Sequence, residues 1–154
     1  MQQYFLIAAT VIASFFFMEF IAWSNHKYIM HGFLWVLHRD HHENVTKGMK
    51  KKIEKNDAFF LVYATPAIIL IVAGLSYGNP FMVSAGAGFT LYGIVNFLLH
   101  DGLYHHRFNM FPGEVKNSYL KAVIRAHDAH HKPKSKNDFN VFGLLIFPPR
   151  FLKG

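Results

Sequence analysis

From Ala58 to Leu99 the chain has no Asp, Glu, Lys, Arg or His. As helix, at about 1.5 Å per residue, such a stretch would cross a bilayer core about twice. Gly78-Asn79-Pro80 interrupts it with a turn signal that no helix runs through. The reading is two spans, about 58–77 and 81–99, joined by a tight hairpin. A third apolar segment, residues 4–23, carries Glu19 as its only charge. A chain of 154 residues cannot hide three such helices in its own interior. The expected fold is all-α: an integral membrane helical bundle with a histidine-rich cap formed by residues 24–57 and 100–154, all within a single domain. Met1-Gln2-Gln3 offers no basic start, so the first segment reads as a retained span rather than a signal peptide.

All 16 Lys and Arg lie outside the spans, and none lies at the N-terminus or in the 78–80 turn. The positive-inside rule then puts the N-terminus outside and both polar blocks in the cytoplasm. Topology and attraction to anionic lipid account for the net charge of +7, so nucleic acid is not an expected partner. Lys50-Lys51-Lys52 reads as a solvated loop, and the sequon Asn44-Val45-Thr46 falls on the cytoplasmic side, where it is not glycosylated. Phe33 to Leu37 and Phe139 to Pro149 are apolar but too short to span, which suits interfacial or re-entrant segments. Trp23 sits where an aromatic belt would place it. Zero Cys excludes disulfide scaffolds, cysteine-ligated zinc and thiolate chemistry.

The 11 histidines occupy three short windows at the inner ends of spans one and three. The pattern H-x4-H then H-x2-H-H occurs twice: His26, His31, His38, His41 and His42, then His100, His105, His127, His130 and His131. A span followed by the same two boxes, twice, reads as an internal pseudo-repeat. Within each trio the spacing keeps the imidazoles on one side of a helix, able to serve one centre or two adjacent ones. His26 and His31 are different, being about 140° apart on an ideal helix. To share an ion they need a π-bulge or a break, for which Gly32 and Gly102 are candidates.

A pH sensor does not require this duplicated spacing, and a bis-His haem needs two axial ligands inside the spans. Neutral imidazole is the commonest metal ligand, and without Cys the choice narrows to Fe, Zn, Cu or Ni. His106 reads as a bystander. Carboxylates are expected to orient the rings and offset the charge of two ions. Asp101 and Asp128 each follow a box histidine, Asp40 and Glu43 flank the first trio, and Asn96 lies one turn before His100. Glu19, an acid inside a span, is expected to hydrogen-bond a ligand ring; its bland alternative is snorkelling to the interface.

A metal pair at the end of apolar helices suits a hydrophobic substrate delivered by lipid. Attack on an unactivated C–H bond needs a redox metal and O2, which points to iron rather than zinc. Hydrolysis on zinc would require a further acid or base that no motif announces. Gly86, Thr90 and Gly93 form a small face on span three that can admit a flat molecule or pack a helix. Pro66 is a candidate kink in span two. Lys132, Lys134 and Lys136 are placed to steer an acidic electron donor, or equally to touch lipid headgroups.

The stretches MEFIAWSNHKYIMHGFLWVLHRDHHE, LYGIVNFLLHDGLYHHRF and RAHDAHHK, with the tail FGLLIFPP, resemble bacterial β-carotene hydroxylases. These are membrane non-haem di-iron enzymes of the fatty acid hydroxylase superfamily. The resemblance implies that the ten box histidines named above bind two Fe ions, with His106 outside the pattern. It implies O2-dependent hydroxylation of carbons 3 and 3′ of β-ionone rings, with electrons from a ferredoxin-type donor, in a bacterial cell membrane. The boxes alone equally admit a hydroxylase or desaturase of another lipid, such as a fatty acyl chain or sterol. A metal transporter is disfavoured, because it would place polar ligands near the bilayer midplane.

Overall fold

The computed structural model describes residues 1–133 and 141–153. Among these residues the regular structure is entirely helical. Helix α1 (Gln2–Ser24) continues directly into a π-helical segment, Asn25–Phe33, and after a bend comes α2 (Trp35–Thr46). A 3-10 turn (Lys55–Asp57) leads into α3 (Ala58–Ser76), and α4 (Pro80–Asn96) runs on into a second π-helical segment, Phe97–Tyr104. Helix α5 (Ser118–His131) and a 3-10 turn (Pro149–Leu152) complete the chain.

Three stretches are long and apolar enough to cross a bilayer: Gln2–Phe33, Lys55–Ser76 and Pro80–Tyr104. They match the expected spans, the second ending one residue earlier, and extend the first and third through the π segments. Their outer faces are inverted relative to a water-soluble core, with Phe16, Phe17, Ile69 and Val72 each more than half exposed. Such an apolar exterior belongs in lipid.

The hairpin between α3 and α4 follows from local chemistry. Gly78 takes φ +63°, Pro80 opens α4, and Asn79 Oδ1 caps it by accepting from the N–H groups of Phe81 and Met82 at 3.0 and 3.3 Å. Helix α4 packs against both α1 and α3. At Gly88 a Cβ would meet Ser14 Oγ and the Val11 carbonyl; at Gly86 it would meet Ile71 and the Ala67 carbonyl. Gly86 therefore serves close packing rather than the substrate slot. Pro66 sits within α3, which runs unbroken from Ala58 to Ser76.

Of the apolar tail, residues 139 and 140 lie outside the described residues. From Val141 to Pro148 the chain has no helix or strand and returns to the bundle, with Val141 and Leu144 buried. Phe33, at the bend, and Val36, in the first turn of α2, are exposed, as an interfacial segment would be. Lys27 lies over the rings of Trp23 and Tyr28, at 5.2 and 5.0 Å from their centroids.

Candidate metal centre

Ten of the 11 histidines converge as two sets of five: His26, His31, His38, His42 and His130, and His41, His100, His105, His127 and His131. Within each set one ring nitrogen per residue lies within 4.8 Å of all the others. The two i, i+5 boxes are brought together by the two π-helical segments, whose wider turn removes the offset of an α-helix. Gly32 is the break, with φ −101° and ψ −124°. Gly102 is not; it stays helical and buried, and its missing side chain seats Phe111 and Met110.

Each trio is divided. His38 and His42, one helical turn apart, join the first set, whereas the middle residue His41 crosses to the second. The other trio mirrors this, with His127 and His131 in the second set and His130 crossing to the first. His106 belongs to neither set and is exposed at φ +49°.

Hydrogen bonds fix which ring nitrogens are lone pairs. His26 Nδ1 donates to the Phe142 carbonyl at 2.9 Å, and His38 Nδ1 donates to Asn56 Oδ1 at 2.7 Å. A neutral ring has one N–H, so Nε2 of both residues is an acceptor, yet these two atoms are 3.1 Å apart. Two lone pairs at that distance repel unless a cation lies between them. In the second set, His41 Nδ1 donates to Glu54 at 2.7 Å, and His41 Nε2 is buried with no hydrogen-bond partner among the described residues. Such an orphaned acceptor is costly unless it binds something.

Neighbouring ring nitrogens in the two sets are 3.0–3.2 Å apart. An ion about 2.1 Å from both would see them at about 95°, an angle of five- or six-coordinate sites rather than a tetrahedral one. Burial, reinforced by neighbouring imidazoles, pushes His38, His42, His127 and His131 well below the usual imidazole range, and His130 to about 3. The rings are held neutral, the form that binds metal. The residues present therefore fit two metal ions.

The carboxylates are arranged differently from expectation. Asp101 does hold a ring, His100 Nδ1, at 3.3 Å, and is itself clasped by Arg107. Asp128 instead accepts from Tyr104 at 3.1 Å and pairs with Lys132 at 2.7 Å, because its position on α5 faces away from the rings. Glu19 does not reach a ring either. It is buried and accepts from the Tyr92 hydroxyl and from the N–H groups of Leu145 and Ile146, which also rules out snorkelling. Asp40 bonds the Lys55 N–H, Glu43 pairs on the surface with Arg39 and Lys47, and Asn96 lines a cavity. Lys134 and Lys136 lie outside the described residues.

Besides Asp101, the side chains that hold the rings are Glu54 and Asn56 of the 47–57 connection, where no periodicity marks them. Asn44 donates to Glu54 at 2.8 Å and is buried, which excludes a glycan at that sequon. Burial works to raise the Glu54 carboxyl, but hydrogen bonds from His41 and Asn44 outweigh it and hold it below its ordinary value. Arg107 ties the loop down through the Lys51 and Lys52 carbonyls and a two-pronged pair with Asp57. The Lys50–Lys52 side chains stay exposed. The available signal was Glu54 and Asn56 standing just ahead of an uncharged span; the Phe142 carbonyl, a backbone atom, leaves no signal at all.

A cavity of about 580 Å³ runs from Ala67 and Ile68 on α3 down to His26, His38, His100 and His127. Thr90 and Gly93 form part of its wall. Phe60, Ile68 and Ile94 line it and are also more than half exposed on the outer surface, so it opens sideways between the helices. This volume is ordinary for a small-molecule site.

Comparison with known proteins agrees with this geometry. The chain is 40% identical to a β-carotene hydroxylase of Pantoea ananas, over 94% of this chain and 77% of the relative. It is 36% identical to a β-carotene hydroxylase of Paracoccus sp. strain PC1, over 97% and 86% of the two chains. Against chloroplastic β-carotene 3-hydroxylase 1 of Arabidopsis thaliana the identity is 38%, over 85% of this chain and 41% of the relative. No solved structure matches. Residues 11–147 match the fatty acid hydroxylase family, and with three apolar helices and paired histidine sets of this kind, the chain is a membrane protein that belongs to that family.

Proposed function

We propose that the protein is a carotenoid hydroxylase. It adds oxygen at carbons 3 and 3′ of β-ionone rings, taking β-carotene through β-cryptoxanthin to zeaxanthin. The observation that carries this reading is the apolar cavity, open sideways among membrane helices and ending on histidines of both sets. The names of the relatives supply the carotenoid.

The two histidine sets would hold two irons, and bound iron supplies the redox chemistry that activates O2. Each turnover takes one O2, two electrons and two protons; one oxygen enters the C–H bond and the other leaves as water. The chain's own contribution is positional. Phe59, Phe89 and Phe97 give the ring an apolar slot and keep bulk water away from the reacting carbon. Asn56, Glu54 and the Phe142 carbonyl hold His38, His41 and His26 with Nε2 turned inward. In this reading the N-terminus is outside a bacterial cell membrane, the histidines are on the cytoplasmic side, and a ferredoxin-type carrier delivers electrons there. The whole chain then acts as a single hydroxylase domain.

Expression in a bacterial host that accumulates β-carotene tests this, with pigments separated by chromatography. Zeaxanthin and β-cryptoxanthin are the expected products, and His130→Ala abolishes them. Unchanged β-carotene with the protein present in the membrane contradicts the reading, and hydroxylated acyl chains or sterols in its place would identify another lipid as substrate.

A further inference from the structure

Glu19 is a carboxylate at 2% exposure inside a membrane-spanning helix, and no cation pairs with it among the described residues. A group this costly persists only when something holds it. Three donors do: the Tyr92 hydroxyl on Oε2 at 2.7 Å, and the adjacent N–H groups of Leu145 and Ile146 on Oε1 at 2.8 and 2.9 Å. Two successive amides aimed at one oxygen form a small anion nest. The turn that makes it is tight at Gly143, where a Cβ would sit 2.4 Å from the Ile146 carbonyl oxygen and 3.0 Å from Glu19 Oε1. Tyr119 fastens the same turn from α5 by donating to the Leu145 carbonyl at 2.6 Å.

Among the described residues, the segment held in this way touches rings of the first histidine set and none of the second. Its Phe142 carbonyl accepts the hydrogen bond of the His26 Nδ1–H, and the Phe142 ring lies 5.3–5.5 Å from the rings of His26, His31 and His130. It also closes one wall of the cavity through Phe142, Gly143 and Leu144.

We infer that Glu19 is a positioning residue: with Tyr92 it latches the 141–147 segment to the membrane bundle, and the latched Phe142 carbonyl fixes His26 for the first metal ion alone. The inference rests on the two-metal reading of the histidine sets. What the latch requires is acceptors rather than charge. A glutamine can replace Glu19, accepting both N–H groups at its oxygen and donating its amide to the Tyr92 oxygen.

The test is titration of the full chain, purified in detergent without metal, with Co(II), counting ions and affinities per chain. The native protein binds two ions. Glu19→Leu keeps one at native affinity and weakens the other by roughly 10–100-fold, while Glu19→Gln binds both as the native protein does. Should Glu19→Leu not fold, Gly143→Ala pries the turn from the carboxylate and produces the same split. Equal weakening of both ions, no weakening, or a Glu19→Gln that behaves like Glu19→Leu would overturn the latch. A native chain that binds fewer than two ions would instead overturn the two-metal reading beneath it.

Discussion

His41 and His42 are neighbours in sequence and about 100° apart on a helix, so they cannot comfortably reach one ion. The division of each H-x2-H-H trio follows from that angle: residues one turn apart stay together and the middle one crosses. Each set thus contains one ring from the other repeat, and neither can form unless α2 and α5 are docked. The rings also depend on what holds their outer nitrogens. Removing the acceptor of His41 by Glu54→Ala weakens Co(II) binding at the second set by roughly 10–100-fold and leaves the first set unchanged. Native affinity at the second set would show that Glu54 does not orient His41. The buried imidazoles add a pH dependence. Their folded values lie below the ordinary 6.5, so the unfolded chain binds more protons once the pH falls beneath that value. Stability of the metal-free protein is therefore fully present above about pH 6.5 and is lost progressively towards about 3, where His130 titrates. Unfolding midpoints recorded from pH 8 to 4 check this; a midpoint that rises as the pH falls contradicts it.

Helices and their junctions show where sequence is informative. Hydropathy placed three spans, and Gly78-Asn79-Pro80 placed the hairpin, because both are local properties of the chain. The i, i+5 spacing of His26/His31 and His100/His105 required a departure from α-helix, and π-helical segments lie at both. The roles of individual glycines were less legible. Gly86 and Gly93 sit on one helical face, yet Gly86 meets α3 closely and a Cβ at Gly93 would enter open space. Only the positions of the neighbouring helices separate them. Gly88→Ala drives a methyl into Ser14 and the Val11 carbonyl and destabilises the α1–α4 contact by about 1–3 kcal/mol. Gly93→Ala, whose methyl meets open space within the helix, raises stability by about 0.5–1 kcal/mol. Unfolding of both variants in detergent measures the difference; equal stability of the two would contradict this packing. Glu54, Asn56 and Arg107 escaped the sequence reading for a related reason: they act across loops, at separations that no helical or strand period encodes.

At the scale of the molecule, the uncharged 58–99 stretch and the histidine boxes are two halves of one arrangement. The apolar helices form a crevice that lipid can fill from the side, and the two π segments bring it to an end on imidazoles from four helical elements. Membership of the fatty acid hydroxylase family fits an oxidative reaction at that junction. The paired sets imply a definite stoichiometry. Iron per chain, measured by elemental analysis on protein purified from membranes of iron-replete cells and still active on carotenoid, tests this most directly. Two irons are expected, with loss at one set only in His41→Ala. An active preparation holding one iron per chain or fewer would contradict it.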